Sequence, residues 1–255
     1  MAQVTRVVAP NPGPYTGPGT NTWTLDAGPV VIVIDPGPDD DAHLGALERK
    51  LAGTTVGVVL VTHSHPDHLS LAERFARPHK ASVLRYPELA DGDVVRAGNL
   101  NLTALHTPGH SADHLCFLLP DDGAIFTGDL ILGKGSSMVT YPEGDLAAYL
   151  RSLDRLASLE LRMLFPGHWD PVADAMGKIG EYRRHRLERE AQILEEVRRG
   201  EGTAEGLTRR VYGELEDKLM LAAEMTLRAH LKKLVDDGLV REDGGVFKPA
   251  GNLRA

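Results

Sequence analysis

The apolar run VVLV at residues 58–61 stops at Thr62, and the next six residues hold His63, His65, Asp67 and His68. Residues two apart in an extended turn project to the same side, so His63 and His65 can grip one ion. Asp67 and His68 fall where the chain turns into a helix and can reach a second. Three more residues of the same chemistry stand in matching settings. His110 in HTPGHSADH and His168 in LFPGHWDP each follow a Pro-Gly beside a strand, and Asp129 closes AIFTGD at a strand end. Imidazole and carboxylate are the ligands that a pair of zinc-like ions takes when no thiolate is offered. The lone cysteine, Cys116, excludes both an internal disulfide and a thiolate-rich zinc knot.

These seven residues suffice for two metals. His63, His65 and His110 would hold one, Asp67, His68 and His168 the other, and Asp129 would bridge. Zinc is the expected ion, with manganese and iron(II) accepted by the same ligands. Open positions remain for a water whose pKa two cations would bring near neutrality.

The surrounding pattern is a mixed α/β chain. Short strands are expected at 4–8, 29–37, 54–62, 82–86, 93–97, 100–105, 115–119 and 123–127 and along RMLFPGH, with helices at 41–52 and 144–158. Residues 9–22 are too rich in Pro and Gly for helix or central strand and are expected to form a loop. Many strands with intervening helices suit two sheets packed between helical layers. From Glu181 the chain becomes helical and heavily charged. Helices at 203–213 and 219–238, then a hairpin turning on Gly244-Gly245, give a winged-helix pattern. The expected division is a catalytic domain over 1–178 and a winged-helix domain over 179–255.

THSHPDH, TPGHS, FTGD and FPGH, in this order, resemble the metallo-β-lactamase superfamily. With NPGPYTGPGTNTWTL, IFTGDLILGKGSS and LRAHLKKLVDDGLV the chain is similar, over nearly its full length, to the beta-lactamase-like protein 2 branch. The resemblance implies an αββα sandwich with the metals at one edge and a C-terminal winged-helix domain. It implies a hydrolase whose nucleophile is a metal-bridged hydroxide, with Asp67 as orienter and proton acceptor. That branch includes endoribonucleases acting on single-stranded RNA, and related sequences include thioesterases. Asp129 stands where a cysteine-ligand β-lactamase needs Cys, and His65 where flavin-linked diiron reductases carry Glu. An iron-dependent persulfide dioxygenase shares the ligand types and stays open as a further alternative.

Other residues carry paired readings. Asp35 resembles the family carboxylate that holds a ligand histidine by its free ring nitrogen, or caps a turn. His114 could donate to a substrate oxygen or sit half-buried in its strand. Lys134 and Ser136 could meet an anionic substrate or be solvated loop residues. Trp169 could wall the pocket, stack on a base, or pack on the domain seam. Arg228, Lys232, Lys233 and the Arg209-Arg210 pair could steer a nucleic acid strand, or the C-terminal domain could simply cover the cleft or form a dimer contact.

Net charge is −8, and residues 1–180 hold 21 acids against 13 bases, so no broad basic surface advertises nucleic acid. No apolar stretch approaches the roughly 18–20 residues of a membrane span. The expectation is a cytoplasmic binuclear hydrolase that cleaves single-stranded RNA, with thioester or acyl-ester hydrolysis as the alternative.

Overall fold

The computed structural model describes residues 2–251. One five-stranded sheet is ordered β1-β2-β3-β4-β5, from Val4–Val8, Asn21–Asp26, Val31–Ile34, Val56–Leu60 and Ser82–Leu84. A second is ordered β10-β9-β8-β7-β6, from Met163–Pro166, Ala124–Gly128, Leu115–Leu119, Leu100–His106 and Val94–Ala97. Helices α1 (Asp41–Lys50), α2 (Pro66–Leu69) and α3 (Ala72–His79) join strands of the first sheet, and α4 (Leu146–Ala157) precedes β10.

Side-chain alternation along the strands builds the layers. Ile32, Ile34, Val58 and Leu60 point toward the second sheet, where they meet Leu102, Ala104, Leu115, Phe117 and Phe126. Their neighbours Val33, Val59 and Val61 point the other way, onto Leu47, Leu71 and Phe75 of the helical layer. The far face of the second sheet, through Leu105, Cys116 and Ile125, is covered by Tyr149, Leu153, Leu156 and Ile179. Each central strand is buried on both faces, so its sequence reads as a continuous apolar run. The outcome is the expected αββα sandwich.

One strand of the sandwich was not legible. β2 begins at Asn21, inside the stretch expected to be loop, and pairs antiparallel with both β1 and β3. Its polar residues Asn21 and Thr22 are fully buried because they have specific partners. Asn21 Nδ2 donates to the carbonyls of Pro166 and Trp169, and Thr22 Oγ1 donates to the carbonyl of Asp35.

Helix α5 (Ala175–Arg199) starts on an Asp174 cap that accepts from Gly177 N, and it runs unbroken through residue 178. Its first half, through Ala175, Ile179 and Tyr182, packs in the core under the second sheet. Its second half, through Ile193 and Val197, joins a separate core with Leu207, Leu227, Leu231, Leu234 and Phe247. That core belongs to a winged helix of α6 (Ala204–Tyr212), α7 (Asp217–Asp236) and a small sheet ordered β11-β13-β12, from Gly202–Thr203, Val246–Pro249 and Val240–Asp243. Gly244 and Gly245 turn the wing with φ of 57° and 80°, the backbone a two-residue hairpin of this type requires. Ala229 of α7 reaches back into the catalytic core, and Met225 O accepts from Tyr141 N at 3.1 Å.

Candidate metal centre

Topology delivers the ligands to one edge. β3 and β4 are parallel, so Asp35 and Thr62-His63 emerge together. β9 and β10 are parallel, so Asp129 and His168 emerge together, and antiparallel β8 begins beside them just after His110 and His114. A backbone bond from Leu115 N to Thr62 O, 2.7 Å long, ties the sheets at that edge.

Two groups of ligand atoms converge there. His63 Nε2 and His110 Nε2 lie 2.9 and 3.0 Å from His65 Nδ1. Asp129 Oδ2 stands 3.7 Å from His110 Nε2, while its Oδ1 stands 3.5 Å from His68 Nε2 and 3.4 Å from His168 Nε2. Asp67 Oδ2 completes the second group, 3.5 Å from His68 Nε2 and 3.4 Å from His168 Nε2. These are the two sets of residues expected from the sequence, with one carboxylate facing both. His68 Nε2 and Asp129 Oδ1 are buried with no hydrogen-bond partner. Such atoms are costly to bury unless something else satisfies them. A divalent cation among neutral imidazoles and carboxylates does so, and the donor set fits it.

Every ligand histidine is anchored by its other nitrogen, which fixes the tautomer and aims the free lone pair inward. Thr62 Oγ1 lies 2.9 Å from His63 Nδ1 and donates to Asp35 Oδ2 at 2.7 Å. Glu143 accepts from His65 Nε2 at 2.9 Å. Asp35 Oδ2 accepts from His68 Nδ1 at 2.9 Å, Met138 O from His110 Nδ1 at 2.7 Å, and Gly19 O from His168 Nδ1 at 3.2 Å. Asp35 thus lies against the outer nitrogen of a candidate ligand histidine, the contact the resemblance implied. It holds φ at 51°, a left-handed conformation rare outside glycine, and strain of this kind persists where the surroundings over-determine a site. Gly167 is also demanded by the centre, since a Cβ there would lie 2.6 Å from Asp129 Oδ1 and 2.7 Å from His68 Cε1.

Electrostatics separate the members. Burial pushes His63 and His110 down, toward the neutral form a ligand needs. Burial also opposes charge on His168, but the carboxylates of Asp129 and Asp67, each 3.4 Å from its Nε2, outweigh it and raise it to about 10. Asp67 is lowered to about 2, because its hydrogen bond to His168 and the charge of His68 overcome its own burial.

His114 differs from its expected donor role. It is fully buried, with Nδ1 3.0 Å from Thr107 Oγ1 and Nε2 accepting from Asp129 N at 3.2 Å. Both nitrogens are engaged by the protein, and the ring supports Asp129 from beneath. Lys134 and Ser136 are exposed on the loop after Asp129. Trp169, with φ of 65°, lies against Gly17, where a Cβ would approach its indole to 2.4 Å. Its wall is thus the N-terminal loop. Sequence reasoning missed Thr20 and Glu143. Thr20 Oγ1 donates to Asp67 Oδ2 at 2.9 Å and is itself held by Asn11. Neither carries a local motif, although Thr20 lies inside the NPGPYTGPGTNTWTL stretch that marked the resemblance.

The family model described as Metallo-beta-lactamase superfamily matches residues 15–92 and 85–168, more than half of the chain. The chain belongs to the metallo-beta-lactamase superfamily. A second model, the Beta-lactamase associated winged helix domain, matches residues 203–248 of this superfamily member. A Beta-lactamase-like protein 2 homolog of Caenorhabditis elegans is 32% identical, covering 93% of this chain and 85% of the relative. An Atrochrysone carboxyl ACP thioesterase of Aspergillus chevalieri is 34% identical, covering 96% and 85%. A solved metallo-beta-lactamase family protein from Thermus thermophilus superposes with a TM-score of 0.83 at 26% identity, covering 96% of this chain and 98% of that one. Members of the superfamily are generally hydrolases that bind divalent metals, and this chain has the His/Asp groups for it. No helix among the described residues is long and apolar enough to cross a membrane.

Proposed function

We propose that this chain is a binuclear metal-dependent hydrolase of acyl thioesters. The observation that carries the hydrolytic reading is the Asp129 carboxylate, with one oxygen toward each ligand group and Oδ1 buried without a partner. His63, His65 and His110 would hold one ion and Asp67, His68 and His168 the other, with Asp129 shared. Zinc suits these donors best. Ions held there supply Lewis-acid polarisation of a carbonyl and an acidified water.

The chain's own residues orient and exclude. Asp67, fixed by Thr20 Oγ1 and lowered to about 2, stays ionised at neutral pH. Held by Thr20 at the exposed side of the centre, it is placed to orient a hydrogen-bonded water. The side chains of His65 and Asp67 are about a quarter exposed while His68 is fully buried, so substrate enters from the His65–Asp67 side, past Glu143.

Two observations favour a thioester over the RNA expected from resemblance. Among the described residues the centre offers a leaving group no uncommitted histidine, since every ligand ring and His114 has both nitrogens engaged or aimed at the metals. A thiolate, with a thiol pKa of about 8.5, departs without a general acid, whereas an alkoxide needs one. The cations expected to steer RNA are also already matched. Arg209 pairs with Glu205 and Glu214, Arg210 with Glu196, Arg228 with Glu224, Lys232 with Asp236, and Lys233 with Glu190 and Asp237. The relative carrying a thioesterase name supports the same reading.

The test is thiol release from an acyl thioester by the zinc-loaded protein, beside a fluorescent single-stranded RNA and an Asp67→Ala control. Thioester cleavage lower by about 10²-fold or more in the variant supports the proposal. RNA cleavage with intact thioester would overturn the substrate assignment and restore the ribonuclease.

A further inference from the structure

The segment Ser136–Met138 forms a wall of the metal centre. Met138 O accepts from His110 Nδ1, and Ser137 Oγ donates to the Asp129 carbonyl. The same three residues also line a cavity of about 240 Å³, together with His185, Arg186 and Arg189 of α5 and residues of α6 and α7. A second cavity of about 380 Å³ lies beside it along α5, sharing Ser136 and His185; Glu181 and Glu188 line that one, so the groove free of carboxylates is the first.

The charge in this groove is unusual for this half of the chain. On the same helix Arg183 pairs with Asp154, Arg184 with Glu188, and Arg199 with Glu195 and Glu196. Arg186 and Arg189 have no carboxylate partner among the described residues. Arg186 is 3% exposed, donates to the Ser137 carbonyl, lies over the Tyr149 ring, and keeps a buried Nε with no acceptor. The Arg189 guanidinium lies 4.4 Å over the Tyr212 ring. Guanidinium groups held by aromatic faces and a carbonyl, rather than by acids, keep their positive charge available to an anion. Ala222 and Ala223 supply an apolar wall opposite.

We propose that this groove binds the phosphate of the substrate's thiol-bearing arm, an inference that rests on the thioester reading above. Arg189 is the principal contact and Arg186 the buried charge behind it. Tyr212 and the two alanines cover the uncharged part of the arm. The shared chemistry is a phosphorylated pantetheine, carried either by coenzyme A or by a carrier protein.

The test is isothermal titration of the zinc-loaded full chain with pantetheine, 4′-phosphopantetheine and coenzyme A, which share the thiol and differ in phosphate. The expected result is binding of 4′-phosphopantetheine about 10-fold tighter than pantetheine, the scale of one charge-assisted hydrogen bond. Arg189→Gln should remove that advantage and Arg189→Lys should keep part of it. Arg183→Gln, the same charge change outside the groove, should leave it intact. A phosphate advantage confined to coenzyme A would assign the recognised phosphate to its nucleotide end, still in this groove if Arg189→Gln abolishes it. Equal affinity for all three probes in the wild-type chain would overturn the proposal, as would an equal loss in Arg189→Gln and Arg183→Gln. A phosphate advantage without thioester hydrolysis would leave the groove and remove the thioester reading. Hydrolysis without the advantage would do the reverse.

Discussion

The metal centre and the winged helix treat polar groups in opposite ways. At the strand edge, ligand atoms face one another across distances of 2.9–3.7 Å with no counter-group between them, and each histidine is braced from behind. In the winged helix, bases meet acids one turn away, as in Arg228–Glu224 and Lys232–Asp236. The first arrangement leaves His68 Nε2 and Asp129 Oδ1 buried without a hydrogen bond and fits cations supplied from outside. The second satisfies most of its own charges, the groove at Arg186 and Arg189 excepted. A fold name alone would have assigned nucleic acid binding to the second region, and the pairing of its charges gives that assignment no support.

That contrast can be broken by substitution. Asp129→Ala is expected to have the largest effect, because both ligand groups lose their shared carboxylate: hydrolysis should fall below detection and bound metal below two per chain by elemental analysis. Asp35→Asn leaves every ligand in place but weakens the grip on His68 and Thr62. Metal affinity should drop by about 10–100-fold, read by chelator competition; an unchanged affinity would mean that Asp35 merely caps its turn.

His230 of α7 sharpens the comparison from the other side. It is fully buried, neither ring nitrogen has a hydrogen-bond partner although Glu190 Oε2 stands 4.0 Å from Nδ1, and burial, with Arg186 and Arg189, pushes it down to about 3. The unfolded chain takes up this proton near 6.5, the folded chain only near 3. The linked stability is therefore complete above pH 6.5 and is lost as the pH falls toward 3, by several kcal/mol across the window. His230→Leu should unfold less steeply with acid than the wild type in urea titrations between about pH 7 and 4. Identical slopes would place the titration elsewhere. The smallest effect is expected for Arg228→Gln, an exposed pair: about 0.5 kcal/mol or less of stability, and unchanged turnover.

Much of this was legible because ligands announce themselves by type and context. His63, His65, Asp67 and His68 crowd one turn, and His110, Asp129 and His168 each follow a strand and a glycine. The sandwich followed from apolar runs, and the wing from a Gly-Gly turn. Strand β2 was hidden because Asn21 and Thr22 are buried for their hydrogen bonds rather than their hydrophobicity, which no periodicity reveals. Thr20 and Glu143 were invisible for a related reason: one Thr and one Glu in loops take meaning only when folding brings them to Asp67 and His65. His114 looked available in TPGHSADH because a sequence cannot tell which residues of a ligand-rich stretch face the cleft and which brace it from below.

The measurement closest to the central claim is the metal content of the purified protein, set against its hydrolytic activity as a chelator removes the metal and zinc restores it. Two divalent ions per chain, with activity lost and regained in step, is the predicted result. One iron per chain with oxygen uptake, or hydrolysis that survives complete metal removal, would contradict it.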